Sequence, residues 1–171
     1  MLHRQPVDTN GVNWLTRDMA ERVTVTLHEL VAELDAYADA VLRARHGVTF
    51  NLFEFLAALV ERGPIDMTGL AQCLRITKAA VSKRVPGLVA DGWVHTAESP
   101  HGRSVILTAT DRARTLVAQA GGELEAEFTA MLAHAGRAAD DPDGSPAAID
   151  ATALNAQLES LTRIVTAKAR P

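Results

Sequence analysis

TKAAVSKRVPGLVADGW, residues 77–93, is the stretch on which the fold turns. Thr77 is a helix-capping residue, and after it Val81, Val85, Leu88 and Val89 stand at i, i+4, i+7 and i+8. That spacing is one buried stripe of a helix. Pro86-Gly87 lies in the middle of the run, where a proline removes a backbone donor at about 3 kcal/mol. The stripe stays in phase across the pair, so one helix over 77–91 explains the stretch better than two fragments. Gly92 ends it. With the stripe facing inward, Lys78, Ala79, Ser82 and Lys83 face outward. Residues 78–84 are then free to meet a partner, while 85–91 mostly pack.

The surroundings extend this reading. Before it, Thr49 can cap a helix carrying Leu52, Phe55, Leu56, Leu59 and Val60, closed by Gly63-Pro64. Thr68 can cap a short one ending near Leu74. After it, Trp93-Val94 and Val105-Ile106-Leu107 are strand-prone, and Ser99-Pro100-His101-Gly102 between them is turn chemistry, so a hairpin is expected. The Thr108–Asp111 run is read as a capping box opening a long helix. Gly121-Gly122 within that helix marks a bend or a close crossing. Residues 136–148 are a polar loop rich in Pro and Gly, expected to be mobile.

Both ends of the chain carry apolar seams. Residues 14–46 form a helical pattern with Val23, Leu27, Leu30, Leu34, Tyr37 and Val41 spaced 4-3-4-3-4. The last helix repeats this with Leu154, Leu158, Leu161 and Val165. A small hairpin-bearing lobe cannot bury both seams alone, which points to a second copy.

The totals agree with a helical chain. Aromatics are only 4% of 171 residues while 47% are hydrophobic, which favours packed helices over a β-sandwich and excludes disorder of the whole chain. No run is long and apolar enough to span a membrane, and the first residues lack the apolar stretch of a signal peptide. A single cysteine, Cys73, leaves no internal disulfide. A cytoplasmic protein is expected. Net charge is −4, but residues 68–114 hold seven Lys/Arg against three acids, a local +4. A basic segment inside an acidic chain is an electrostatic footprint for phosphate.

Three short helices and a hairpin make a winged helix-turn-helix, whose third helix enters the major groove while the wing reaches backbone or minor groove. Lys78 and Lys83 can reach phosphate or guanine, and small residues at 79 and 82 allow close approach. Arg103 places a cation on the wing tip, suited to a narrow, negative minor groove. His101 stands beside it.

In Thr68, Leu70-Ala71, Leu74, Ile76-Thr77-Lys78, Val81-Ser82-Lys83, Val85, Leu88, Asp91-Gly92, Val94, Arg103, Val105, Leu107-Thr108 and Arg112 to Leu116, the chain resembles the MarR (multiple antibiotic resistance regulator) family. The resemblance implies a mainly α fold with a small β-hairpin wing, flanked by N- and C-terminal dimerisation helices. It divides the chain into an arm and first dimerisation helix (1–47), the DNA-binding lobe (48–111) and C-terminal dimerisation helices (112–171). It implies a homodimeric repressor on a palindromic operator in double-stranded DNA, with Thr68, Thr77, Lys78, Ala79, Ser82, Lys83, Arg84, His101 and Arg103 at the DNA. It also implies release by a small aromatic or anionic effector in a cleft bordered by Trp14 and Arg17, with Arg62 and Asp66 at the lobe junction as further candidates.

Two departures favour a second reading. The family usually has polar or charged residues where this chain has Pro86-Gly87, and commonly an Asp before the wing arginine where His101-Gly102 stands. A winged-helix protein-interaction module with weak DNA binding would look like this. A metal- or thiol-responsive sensor is a third reading. Against it, Cys73 is read as a buried packing residue and the six histidines show no metal-ligand spacing. No catalytic constellation stands out, so an enzyme is not expected, nor any cofactor.

Overall fold

The computed structural model describes residues 22–99, 102, 104–135 and 149–169. Six helices and three short strands follow one another as α1 (Val23–His46), α2 (Phe50–Arg62), β1 (Ile65–Asp66), α3 (Met67–Cys73), α4 (Lys78–Ala90), β2 (Val94–Glu98), β3 (Val105–Ala109), α5 (Asp111–Ala135) and α6 (Ala151–Ala169). The predicted arm over 14–21 and the predicted loop over 136–148 lie outside the described residues.

Local chemistry sets most boundaries. α1 stops at Gly47, whose φ of 67° is the left-handed conformation in which its N–H reaches the Leu42 carbonyl. Thr49 caps α2 as expected, its hydroxyl accepting from the Leu52 N–H at 3.1 Å. Asp39 joins the two helices by accepting from the Phe50 N–H at 2.8 Å. Thr77 caps α4, accepting from the Ala80 N–H at 3.1 Å.

α4 is a single helix that runs through Pro86 without a break. Its buried side is Val81, Val85 and Leu88. Val89, expected on that stripe, is exposed instead, because the helix meets the lobe along a narrow line and position 89 falls at its edge. The helix ends in a tight wrap. The Trp93 N–H donates to the Leu88 carbonyl and the Gly92 N–H to the Val89 carbonyl. This 6→1 and 5→2 pair needs the left-handed Gly92, at φ 73°. Arg112 seals the end, its guanidinium 3.8 Å from the Trp93 ring centroid and donating to the Asp91 carbonyl.

Three expectations are corrected. The cap of α3 is Asp66, which accepts from the Gly69 N–H at 2.7 Å, whereas Thr68 sits inside the first turn. The cap of α5 is Thr110, which accepts from the Ala113 N–H at 3.2 Å, because Thr108 belongs to β3. The wing is not a bare hairpin. β1 joins it to give an antiparallel sheet in the order β1-β3-β2, with Ile65 opposite Leu107 and Val94 opposite Ala109. The third strand ties the middle of β3, at Ile106 and Leu107, to the start of α3.

The core is where α2, α3, α4 and the sheet converge, with Phe55, Leu56, Leu59, Leu70, Val81, Val94 and Leu107 almost wholly excluded from solvent. Burial of each such side chain contributes about 1.5–3 kcal/mol. Of α1 only Ala38 and Leu42 are buried, and Leu42 alone joins this core. Its predicted seam points elsewhere: Val23, Leu27, Leu30 and Tyr37 are exposed, as is Val31. α6 has no buried residue at all, and Leu158, Leu161, Ile164 and Val165 lie open. α5 runs unbroken through Gly121-Gly122. A side chain at Gly121 would meet Phe53 at an ordinary 3.7 Å, so no close crossing requires the glycine. Among the described residues no helix is long and apolar enough to cross a membrane.

Candidate nucleic-acid interface and an adjoining cavity

The outward face of α4 gathers the predicted residues. Thr77, Lys78, Ala79, Ser82 and Lys83 are all exposed, on the side opposite Val81 and Val85. The N-terminal end of α4 is the positive end of its helix dipole, so positive potential is concentrated at the end bearing Lys78. A recess of about 300 Å³ brings Thr68 and Lys78 together with Glu98 and with Gly102, Ser104 and Val105 at the turn of the wing. The wing turns sharply there: the Gly102 N–H donates to the Ser99 carbonyl and the Ser99 N–H to the Ser104 carbonyl. His101 and Arg103 lie outside the described residues.

Arg84 departs from expectation. It is half-buried and turned inward, its guanidinium 4.7 Å from the Phe55 ring centroid and donating to the Asn51 carbonyl at 3.2 Å. Position 84 precedes Val85 on the stripe, so its side chain runs along the lobe instead of outward. Burial pulls its pKa below the ordinary arginine value, and Glu54 nearby opposes that. Its task in this structure is to tie α4 to the first turn of α2.

A cation absent from the predicted set adjoins the face. Arg75, in the turn between α3 and α4, is exposed at φ 54°. It is the one described non-glycine residue with positive φ, a conformation that costs a non-glycine residue about 1–2 kcal/mol. Cys73, read as buried, is exposed. It sits on the outer side of α3, whose inner side is Leu70 and Ala71. Among the described residues no group of three His, Cys, Asp or Glu could hold a metal.

A second concavity, of about 490 Å³, opens between α1, α2 and α5. Leu34, Tyr37 and Ala38 form one wall, Phe50, Phe53 and Ala57 a second, and Val117, Leu124, Phe128 and Met131 the third. Asp35, Glu61 and Glu125 also line it. Of the predicted ligand residues, Arg62 and Asp66 do not line it: Arg62 ends α2 facing solvent, and Asp66 is committed to its cap. Trp14 and Arg17 lie outside the described residues. The aromatic walls escaped sequence reading because positions 37, 50, 53 and 128 converge only through the packing of three helices. The one available signal was the scarcity of aromatics elsewhere.

Beside this cavity a polar clasp joins α1 to α5. The Tyr37 hydroxyl donates to Glu127, and Arg45 lies 2.6 Å from Glu127 and 3.5 Å from Glu123. His46 meets Glu123 at 3.2 Å. The Tyr37 hydrogen bond and then Arg45 hold the Glu127 carboxyl below the usual carboxylate range, and Tyr37 is raised in turn. Asp39 is likewise lowered, by Arg43 and then by the Phe50 N–H.

Comparison with known proteins gives this geometry a context. Residues 46–104 match the model of the MarR family. No match was found among curated proteins. A transcriptional regulator (MarR family) from Rhodococcus sp. RHA1 superposes with a TM-score of 0.67 at 17% identity, covering 87% of this chain and 96% of that one. CouR from Rhodococcus jostii RHA1, bound to p-coumaroyl-CoA, gives 0.66 at 15%, covering 87% and 95%. Streptococcus pneumoniae FabT in complex with DNA gives 0.63 at 13%, covering 86% and 95%. The fold is the winged helix of these structures, flanked by long helices.

Proposed function

We propose that this chain, which carries the MarR-family winged helix, is a DNA-binding transcriptional regulator that represses as a homodimer and is released by a small ligand. The observation that carries the proposal is α4: one side is locked into the core by Val81, Val85 and Leu88, and the other presents Lys78, Ala79, Ser82 and Lys83 to solvent. A rigid helix with a small, basic outer face suits a major groove. Thr68 and Thr77 approach the same groove edge, and His101 and Arg103 on the wing supply the outer contact. The similar FabT structure holds DNA, and the similar CouR structure holds a small ligand.

The lobe over 48–111 reads DNA, and the segments 1–47 and 112–171 join two copies through the open apolar faces of α1 and α6. Two lobes related by a two-fold axis call for a palindromic operator. The site of action is the cytoplasm, and the partners are double-stranded DNA, a second copy and an effector. The cavity between α1, α2 and α5 receives the effector, since it lies where the dimerisation helices meet the lobe.

Mobility shifts on the DNA upstream of the protein's own gene, repeated over a range of salt, test this. Lys78→Ala, Lys83→Ala and Arg103→Ala should each weaken binding and lower the salt slope by about 1 per lost phosphate contact. Unchanged shifts for all three overturn the assignment. Absence of a salt slope on any sequence favours the interaction-module reading.

A further inference from the structure

We propose that the cavity between α1, α2 and α5 is selective for a hydrophobic organic cation, an ammonium or phosphonium carrying aromatic or bulky hydrocarbon groups. Two independent features point there. The chain has four Phe, two Trp and one Tyr, and three of the Phe and the Tyr line this one cavity. Aromatic faces carry negative quadrupole charge and attract a cation most strongly when water is displaced. A chain so poor in aromatics has concentrated them on one concave surface of about 490 Å³, the size of a small-molecule site.

The second feature is charge. Every ionisable carboxylate or base lining the cavity among the described residues is an acid: Asp35, Glu61 and Glu125. None of the three is hydrogen-bonded or ion-paired to a described residue. Their neighbours on the same helix contrast with them. Glu123 and Glu127, which do not line the cavity, are matched by Arg45, His46 and the Tyr37 hydroxyl. Arg43, Arg45 and His46 of α1 are paired with Asp39, Glu123 and Glu127, and the cavity carboxylates have no partner among the described residues. Among the described residues, an anion entering would meet three carboxylates and no basic side chain on the cavity lining. A hydrophobic cation finds apolar walls for its body and carboxylates for its charge.

The effector role of such a cation rests on the regulator reading above, but its binding does not, and the test separates them. Isothermal titration of the full-length protein with tetraphenylphosphonium and with tetraphenylborate compares ions of one shape and opposite charge. The phosphonium should bind at least about tenfold more tightly, the direction set by the carboxylates. The triple variant Asp35→Asn, Glu61→Gln, Glu125→Gln keeps every apolar contact, and circular dichroism checks that it folds. It should lose about tenfold or more in phosphonium affinity. Gly121→Leu, which puts a side chain into the cavity opposite Phe53, should abolish binding. Borate binding as tightly as phosphonium, an unaffected triple variant, or no binding of the phosphonium each overturns the proposal. A chain that takes up the phosphonium but shifts no DNA keeps this inference and loses the regulator reading. A chain that shifts DNA but ignores the cation does the reverse.

Discussion

The winged lobe and the long helices around it handle apolar surface in opposite ways. In the lobe, α2, α3, α4 and the sheet close on Phe55, Leu56, Leu70, Val81 and Leu107, and each helix start is fixed by a side-chain cap. In α6 nothing is buried, and the first half of α1 exposes Val23, Leu27, Leu30 and Val31. The lobe is complete as a single copy. The long helices hold the spacing of a packed interface with nothing on it, so their stability depends on a neighbour that the single chain does not supply.

That contrast can be broken in four ways. The largest effect belongs to the lobe: Phe55→Ala should cost about 3–5 kcal/mol in chemical denaturation, most of the stability of an ordinary domain. It also removes the ring on which Arg84 rests. The long helices should answer differently. Leu161→Glu with Val165→Glu places two charges on the open face of α6, and sedimentation should show a dimer becoming a monomer while the circular dichroism of the lobe persists. If both variants unfold the whole protein alike, the division into a self-sufficient lobe and dependent helices is wrong.

A smaller effect sharpens the lobe itself. Thr77→Ala removes the cap of α4 and should cost about 1 kcal/mol in stability. Part of that loss should reappear as weaker DNA binding in mobility shifts, because the same turn carries Lys78. The smallest effect concerns the clasp between α1 and α5 and the bond between Asp39 of α1 and Phe50 of α2. Glu127 and Asp39 have folded pKa values below their unfolded ones. They therefore stabilise the fold above the unfolded carboxylate range, and this contribution is lost as pH falls below about 4. Thermal melts between neutral and acid pH should show it, and Glu127→Gln should flatten the acid limb.

Much of the lobe was legible in the residues. Thr49 and Thr77 announce their helices, and the phase of Val81, Val85 and Leu88 carries α4 through Pro86. The failures have local causes. Asp66 and Thr68 are both capping residues two positions apart, as Thr108 and Thr110 are both threonines, and only the backbone decides which one stands before the helix. β1 is two residues long, too short for an alternation to register, and its partner is 40 residues away. Val89, Cys73 and Arg84 each lie beside a stripe, and whether such positions face in or out depends on how wide the contact is. The face of α4 could be read because one helix carries all of it. The cavity could not, because it has no existence until three helices meet.

Arg84 has one more consequence. Asn51, whose carbonyl accepts from it, lies between Phe50 and Phe53 on the turn of α2 that walls the cavity. The lining of the cavity and the anchorage of α4 are thus the same few residues seen from two sides. Whatever shifts that turn shifts the footing of α4 with it, so a vacancy filled on one side of α2 is a lever pulled on the other.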